Sequence, residues 1–265
     1  MMRRMIAALC FLRFLWFALF AVFMTAGTCS AVDLYVSNLF AQDPAQAAIA
    51  TSVPSEQATF ESINERIAKE LKRRCPIAIE LKIVPAARHI ELFPRSKEAF
   101  SISRRDNFSD EDGVILAEVI QIPVVVVAVR GARLKTYDDL IALAAINGVG
   151  AMRRINYPPL SQDSRIRKVD INSVENGLRM LEAGRISALA GTQPAILAAA
   201  KRRGSLDNLG PMVVIAYGSY VLRVRPDFEK NVVAIQVRDT MLEMKRNGTI
   251  DRIYAEFQEE LRRPL

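Results

Sequence analysis

An α/β fold, with helices packed on the faces of its sheets, is predicted by three observations. Strand-like and helix-like segments alternate along the chain once the first thirty or so residues are set aside. The stretch "IPVVVVAV" places five valines in the six positions 124–129, which reads as a strand covered on both faces. The stretch "ISALAGTQPAILAAAKRRG" runs from a short apolar strand, through a polar Gly191-Thr192-Gln193 turn, into an alanine-rich helix with Pro194 at its first position. In open α/β sheets such turns face solvent or ligand, because the unpaired N–H groups of the helix's first turn point there.

The chain begins with Arg3 and Arg4, then a thirteen-residue apolar run from Phe14 to Ala26, then small residues from Cys29 to Ala31. This is the pattern of a secretory signal peptide over 1–31, and the apolar run is short of the ~20 residues a membrane span needs. An uncleaved anchor and a lipid-modified Cys29 are the alternatives. Cleavage after Ala31 would remove three arginines and no acid, taking the formal charge of +7 to +4. It would leave Cys75 as the one cysteine, so no internal disulfide is expected and packing must supply the stability.

"VDLYVSNLF" reads as the first strand. "FESINERIAKELKRRC" is an amphipathic helix with Phe60, Ile63, Ile67 and Leu71 on one face. Pro76 ends it and leaves Cys75 partly buried at the helix end. "IAIELKIV" alternates apolar and charged residues as a strand does. "AFSI" is a further strand, and the polar run 104–113 is a turn. Thr136 and Asp139 form a capping box for the helix "DDLIALAAI". "GVGAM" is a strand entering a loop, and "VDI" a short strand. Ser173 caps "VENGLRMLEAG", which Gly184 closes. "MVVIAYGSYVLRV" is either a strand pair or one long irregular strand. The remainder reads as a helix from about Pro226 to Asn247, then a helix capped by Thr249.

The order of these segments resembles that of periplasmic solute-binding proteins of the family-three type, which includes the polar amino-acid binders. "SVENGLRMLEAGRISALAGTQPAILAAAKRRG" is similar to that family's second-lobe pattern, and "DTMLEMKRNGTIDRIYAEF" to its C-terminal helix pair. "LKTYDDLIAL" resembles the segment opening the second lobe, and "VPAAR" the stretch after the second strand. The resemblance implies a two-lobed periplasmic-binding-protein type II fold: two mixed sheets with flanking helices, joined by two crossing strands. Lobe 1 would hold 32–124 with 221–265 returning to it, and lobe 2 would hold 125–220. The crossings would be "IPVVVV" and "AYGSYV", with Val124, Val125, Tyr217 and Gly218 at the hinge. One undivided sheet without a crevice between lobes would exclude this reading.

The resemblance also implies a ligand-gripping arginine in lobe 1, for which "FSISRRDNF" supplies Arg104 and Arg105. Arg88, in the "VPAAR" stretch, is a further candidate. Met152, Arg153 and Arg154 leave a second-lobe strand toward the cleft. The acid that would meet a ligand amino group falls near Thr192 and Gln193, and neither is charged. These residues together favour an anionic ligand, a carboxylate above all, over an α-amino acid.

Other chemistries find little support. His89 is the one histidine. Beside Arg88 and after a strand, it reads as a surface or cleft-lining residue, and no nucleophile elbow accompanies it. No metal site and no cofactor are expected. "SDEDG" lacks the alternating acids of a calcium loop. The basic residues interleave with acids, so nucleic acid is not an expected partner. The predicted protein is a monomeric, periplasmic solute binder without enzymatic activity. Delivery to an ABC-type membrane permease and stand-alone sensing are both open to it, as is an interaction protein that kept the fold and lost the ligand.

Overall fold

In the computed structural model, which describes residues 31–38, 61–153 and 155–263, helix ends fall mostly where local capping signals stand. The leader expected over 1–31 lies outside these residues but for Ala31, as do Phe60 and Arg154. Strand β1 (Val32–Asn38) is followed by α1 (Ile63–Arg74), whose N-cap Ser62 accepts the Glu65 N–H at 3.3 Å. Ile63, Ile67, Ala68 and Leu71 form its buried face, and Cys75, a buried free thiol, is its C-cap. Strand β2 (Ile79–Pro85) passes directly into α2 (Ala86–Leu92). Strand β3 (Ala99–Arg104) leads by a single 3-10 turn into β4 (Val114–Val129).

The capping box of Thr136 and Asp139 opens α3 (Tyr137–Asn147). Strands β5 (Val149–Met152) and β6 (Lys168–Ile171) follow. Helix α4 (Val174–Glu182) is capped by Ser173, which accepts the Asn176 N–H at 3.1 Å. Strand β7 (Ala188–Thr192) enters α5 (Gln193–Arg202) with no separate turn, because Thr192 is at once the last strand residue and the N-cap. Pro194 is therefore the second helical residue rather than the first. Its missing N–H costs nothing at either position, since the first-turn N–H groups have no helical acceptor.

Strand β8 (Leu209–Val224) is one long irregular strand. The C-terminal helices differ from expectation at both starts. Residues 226–228 form a separate 3-10 turn whose Phe228 is buried edge-on against Phe100, and α6 (Val232–Arg246) begins only after Asn231 accepts the Val233 N–H. Helix α7 (Thr249–Arg262) has Gly248 as its N-cap, in the left-handed region at φ 72°, while Asn247 accepts from the Thr249 N–H and hydroxyl. Here the left-handed glycine makes the sharp corner and the preceding asparagine supplies the cap oxygen.

The strand order is β2-β1-β3-β8-β4-β7-β5-β6. On one side β1 pairs in parallel with β2 and β3. On the other β5 pairs in parallel with β6 and β7. Between them the two 16-residue strands β4 and β8 run antiparallel to each other, β8 also pairing with β3 and β4 with β7. The two mixed sheets share these two crossing strands, so the hydrogen-bonded ladder is continuous although the cores are not. Ile122 belongs to the core under β1–β3, and Val124 to that of the β5–β7 half. Beyond this point Val124, Val126 and Ala128 pack with Leu140 and Ala144 of α3, while Val125 and Val127 pack with Leu178 of α4 and Ile196 of α5. Val129 at the strand end is exposed, while valines 124–127 are thus covered on both faces. Each such fully buried side chain contributes about 1.5–3 kcal/mol. Between Val124 and Val125 the ladder slips by one residue, Val124 facing Ala216 and Val125 facing Val214. Such a bulge bends the strand locally.

One glycine between α3 and β5 is demanded by the backbone. Gly148 has φ 77° and ψ 179°, and a Cβ there would lie 2.8 Å from the Arg167 carbonyl oxygen. Gly148→Ala is expected to cost about 3 kcal/mol or more, combining dihedral strain with a clash against main chain. Urea denaturation of the two proteins would show it.

Candidate functional site

Strand C-terminal ends and helix N-termini from both halves of the sheet converge on one cavity. From the β1–β3 side come Ser37 at the end of β1, Asn64 in the first turn of α1, Ala86 at the start of α2, and Ser103 and Arg104 at the end of β3. From the other side come Met152 ending β5, Val174 starting α4, and Gly191, Thr192 and Ala195 at the β7–α5 junction. Asn107, Ile155, Tyr157 and Tyr220 complete the wall. The free volume is only about 30 Å³, room for one or two waters. The crevice is present and nearly shut.

Arg104 dominates the electrostatics. It is 5% exposed, and its Nη2 donates to the Asp106 carboxylate at 2.7 Å. Its Nε and Nη1 have no hydrogen-bond partner. The guanidinium carbon lies 5.4 Å from the centre of the Tyr157 ring, a cation–π distance. Tyr220 faces Arg104 across the β3–β8 ladder, and burial raises its hydroxyl to about 12 and that of Tyr157 further still, so both remain neutral. Gly218 lies beside the same side chain: a Cβ there would meet Arg104 Nε at 3.5 Å, ordinary contact. Among the described residues of the lining, Arg104 is the one charged group and no acid faces the cavity. Asn64 adds a buried side-chain oxygen that also lacks a partner. A buried cation with unused donors is costly to keep. An anion is the group that would satisfy it.

The far wall supplies milder polarity. Thr192 is the N-cap of α5, yet its hydroxyl makes no capping bond and remains buried at the cavity. The first-turn N–H groups of α5 and the positive end of its dipole lie at the same place.

Of the residues singled out in the sequence, Arg104, Met152 and Thr192 line this cavity together. Arg88 is exposed on α2 and outside the lining. Arg105, next to Arg104 but pointing the other way, is half exposed and ion-paired with Glu118. Arg153 is exposed and reaches Asp170 at 3.3 Å. Gln193 is half-buried beside Thr192 and is not among the lining residues. Val124 and Val125 are fully buried in β4, while Tyr217 is 64% exposed on β8 and faces Pro123 in the ladder.

His89 requires a correction. It is 1% exposed and lies behind the cavity wall rather than on it, because α2 turns it inward among Tyr35, Phe93 and Phe108. Its Nδ1 meets Ser37 Oγ at 2.6 Å and its Nε2 meets Ser101 Oγ at 2.9 Å. Burial lowers its pKa from the ordinary 6.5 to about 3. Ser37, Asn64, Ser103, Tyr157 and Tyr220 were not legible as site residues. The position of Ser37 and Ser103 near strand ends is the one signal that could have found them. Among the described residues no group of three or more His, Cys, Asp or Glu could hold a metal ion, and no helix is long and apolar enough to cross a membrane.

No protein-family model and no curated protein matches the chain. Solved structures do. A mutant of ArgBP from T. maritima superposes with a TM-score of 0.62 at 18% identity, covering 88% of this chain and 96% of that one. The GluR0 ligand-binding core from Nostoc punctiforme, in complex with L-glutamate, gives 0.61 at 13% identity, covering 86% and 98%. The solute receptor for L-cysteine of Neisseria gonorrhoeae gives 0.58 at 15%, covering 86% and 89%. At these identities the likeness is one of fold. The chain has the periplasmic-binding-protein type II fold: two mixed sheets with flanking helices, joined by two crossing strands.

Proposed function

We propose that the protein binds a small anionic solute, a carboxylate as the favoured class, by closing two lobes around it. The observation that carries this is Arg104: a buried guanidinium with two unpartnered nitrogens, in a cavity whose described lining offers no acid. The fold supports it, since the similar structures include proteins named for arginine and L-cysteine and a core holding L-glutamate. The lobes are 32–124 with 221–265 and 125–220, and the hinge is Val124, Val125, Tyr217 and Gly218. The bulge between Val124 and Val125 supports that placement. The reading includes secretion to the periplasm by the leader at 1–31, binding without catalysis, and a monomer. An ABC-type permease is the partner where the protein serves uptake.

A calorimetric and thermal-shift screen of carboxylates, dicarboxylates, amino acids and sugars tests this, because a bound ligand raises the melting temperature by mass action. Arg104→Met is expected to weaken any carboxylate that binds by roughly 30- to 150-fold, the equivalent of about 2–3 kcal/mol for hydrogen bonds to a charged group. The unliganded variant should melt no lower than the parent, since it loses a desolvated cation and leaves Asp106 one-third exposed to water. Unchanged affinity in Arg104→Met would remove the anion reading. The small free volume favours one other reading, an interaction protein whose cleft closes on itself. A flat screen across all four ligand classes would support that one instead.

A further inference from the structure

Resting on that reading of the site, we infer that His89 is a positioning residue. It couples the hydroxyls of Ser37 and Ser103 so that one donates into the cleft while the other accepts. Both serines line the cavity. Behind them runs an unbroken chain: Ser37 Oγ to His89 Nδ1 at 2.6 Å, His89 Nε2 to Ser101 Oγ at 2.9 Å, and Ser101 Oγ to Ser103 Oγ at 3.1 Å. The four residues are all buried. The ring is packed by Tyr35 at 6.1 Å, Phe108 at 5.5 Å and Phe93 at 6.3 Å between centres, so it is held in place.

A neutral imidazole carries one N–H and one lone pair, and each hydroxyl donates once. The chain therefore has two consistent states. With the proton on Nε2, the ring donates to Ser101, Ser101 donates to Ser103, and the Ser103 hydroxyl hydrogen is free for the cavity. Ser37 then donates to Nδ1 and offers the cavity only lone pairs. With the proton on Nδ1 every bond reverses: Ser103 donates inward and becomes an acceptor, while Ser37 becomes the donor. The first state is the one that matches an anion, because Ser103 and Arg104 line the same cavity and the Ser103 hydrogen then joins the arginine's as a donor there. Ser37 is then left seeking a donor. A cavity without a described acid does not suit an ammonium group, so the ligand class is a carboxylate that also carries a hydroxyl or amide N–H.

The chain has a single histidine, so imidazole ¹⁵N resonances of the protein without a tag report on this ring alone. The test compares the tautomer in the parent, Ser103→Ala and Ser37→Ala, free and with saturating succinate or L-malate. Succinate should shift the parent fully to the Nε2–H form. Ser103→Ala touches no atom of the ring, yet frees the Ser101 hydroxyl to donate to Nε2, and should shift the population to Nδ1–H. Ser37→Ala should shift it the opposite way. L-malate should bind the parent about tenfold tighter than succinate, and that preference should vanish in Ser37→Ala. Tautomer populations that stay the same in all three free proteins overturn the coupling. A tautomer unmoved by a ligand whose binding heat is recorded overturns it as well. Absence of heat with every carboxylate overturns the proposed function instead, and the free variants still decide the coupling.

Discussion

Between pH 6.5 and about pH 3 the protein is expected to lose stability at up to about 1.4 kcal/mol per pH unit through His89 alone, on the order of 4 kcal/mol across the window. The sign follows from the burial of the ring. In the folded protein desolvation holds its pKa near 3, whereas the unfolded chain has the ordinary value of 6.5. Below pH 6.5 the unfolded state therefore binds a proton that the folded state refuses, and stability falls until the folded pKa is reached. Among the described residues no charged side chain meets the ring to offset this. Its neighbours are three aromatic rings and two serine hydroxyls. Against a total of about 5–15 kcal/mol for an ordinary protein, the effect is large enough to set the acid limit. Urea midpoints measured across this range should fall more steeply for the parent than for His89→Gln, which keeps a donor and an acceptor but does not titrate. Parallel slopes would show that the ring is protonated in the folded state.

The second large effect is expected at Arg223. This side chain is 1% exposed, on β8, and ties together a loop whose ends are far from it in sequence. It donates to the Gly113 carbonyl and, at 2.6 Å, to the Arg105 carbonyl. Of its acidic neighbours Asp110 and Asp112, Asp110 is 3.8 Å away and almost fully in water, so the charge is held chiefly by main-chain oxygens. Burial accordingly lowers its pKa. Arg223→Ala leaves two carbonyls without these donors and opens a hole in the sheet face. A loss of about 3–5 kcal/mol follows, reduced by whatever desolvation cost the guanidinium itself carried. Arg223→Lys should recover less than half, because one ammonium cannot span two carbonyls as the planar fork does. The loop so released begins one residue after Arg104. Amide exchange over 105–113 should rise by more than tenfold in Arg223→Ala, and carboxylate affinity should fall with it. Normal exchange in that segment would mean that the loop is held by other contacts.

Arg223 and His89 also show where reading residues in order stops. Period and capping signals were legible because they act over a few residues: Thr136 with Asp139, Ser173, and the valine run each declare their local structure. The α6 start was missed because Phe228 is drawn into the core against Phe100, a contact across more than a hundred residues that no local pattern encodes. Arginine pairs were legible only as charge. Arg104 turns inward at the end of β3 beside Gly218 and Tyr220, while Arg105, one position on, faces solvent and Glu118. Arg104 is the last residue of β3 and Arg105 the first of the 3-10 turn after it, and only the placement of the second sheet half makes the place where Arg104 points a cavity. His89, beside Arg88 and after a strand, reads as a surface or cleft-lining residue from its neighbours in the chain, whereas the fold buries it and two serines, Ser37 and Ser101, supply its partners.

What the sequence determined by itself was the alternation of strands and helices, most caps, and the presence of cations near strand ends, because these depend on neighbours within about one turn. Tertiary structure alone decided which arginine is buried, which hydroxyls share a cavity, and that the histidine stands behind them. Those facts depend on which strands lie side by side, and that is settled by the packing of whole layers.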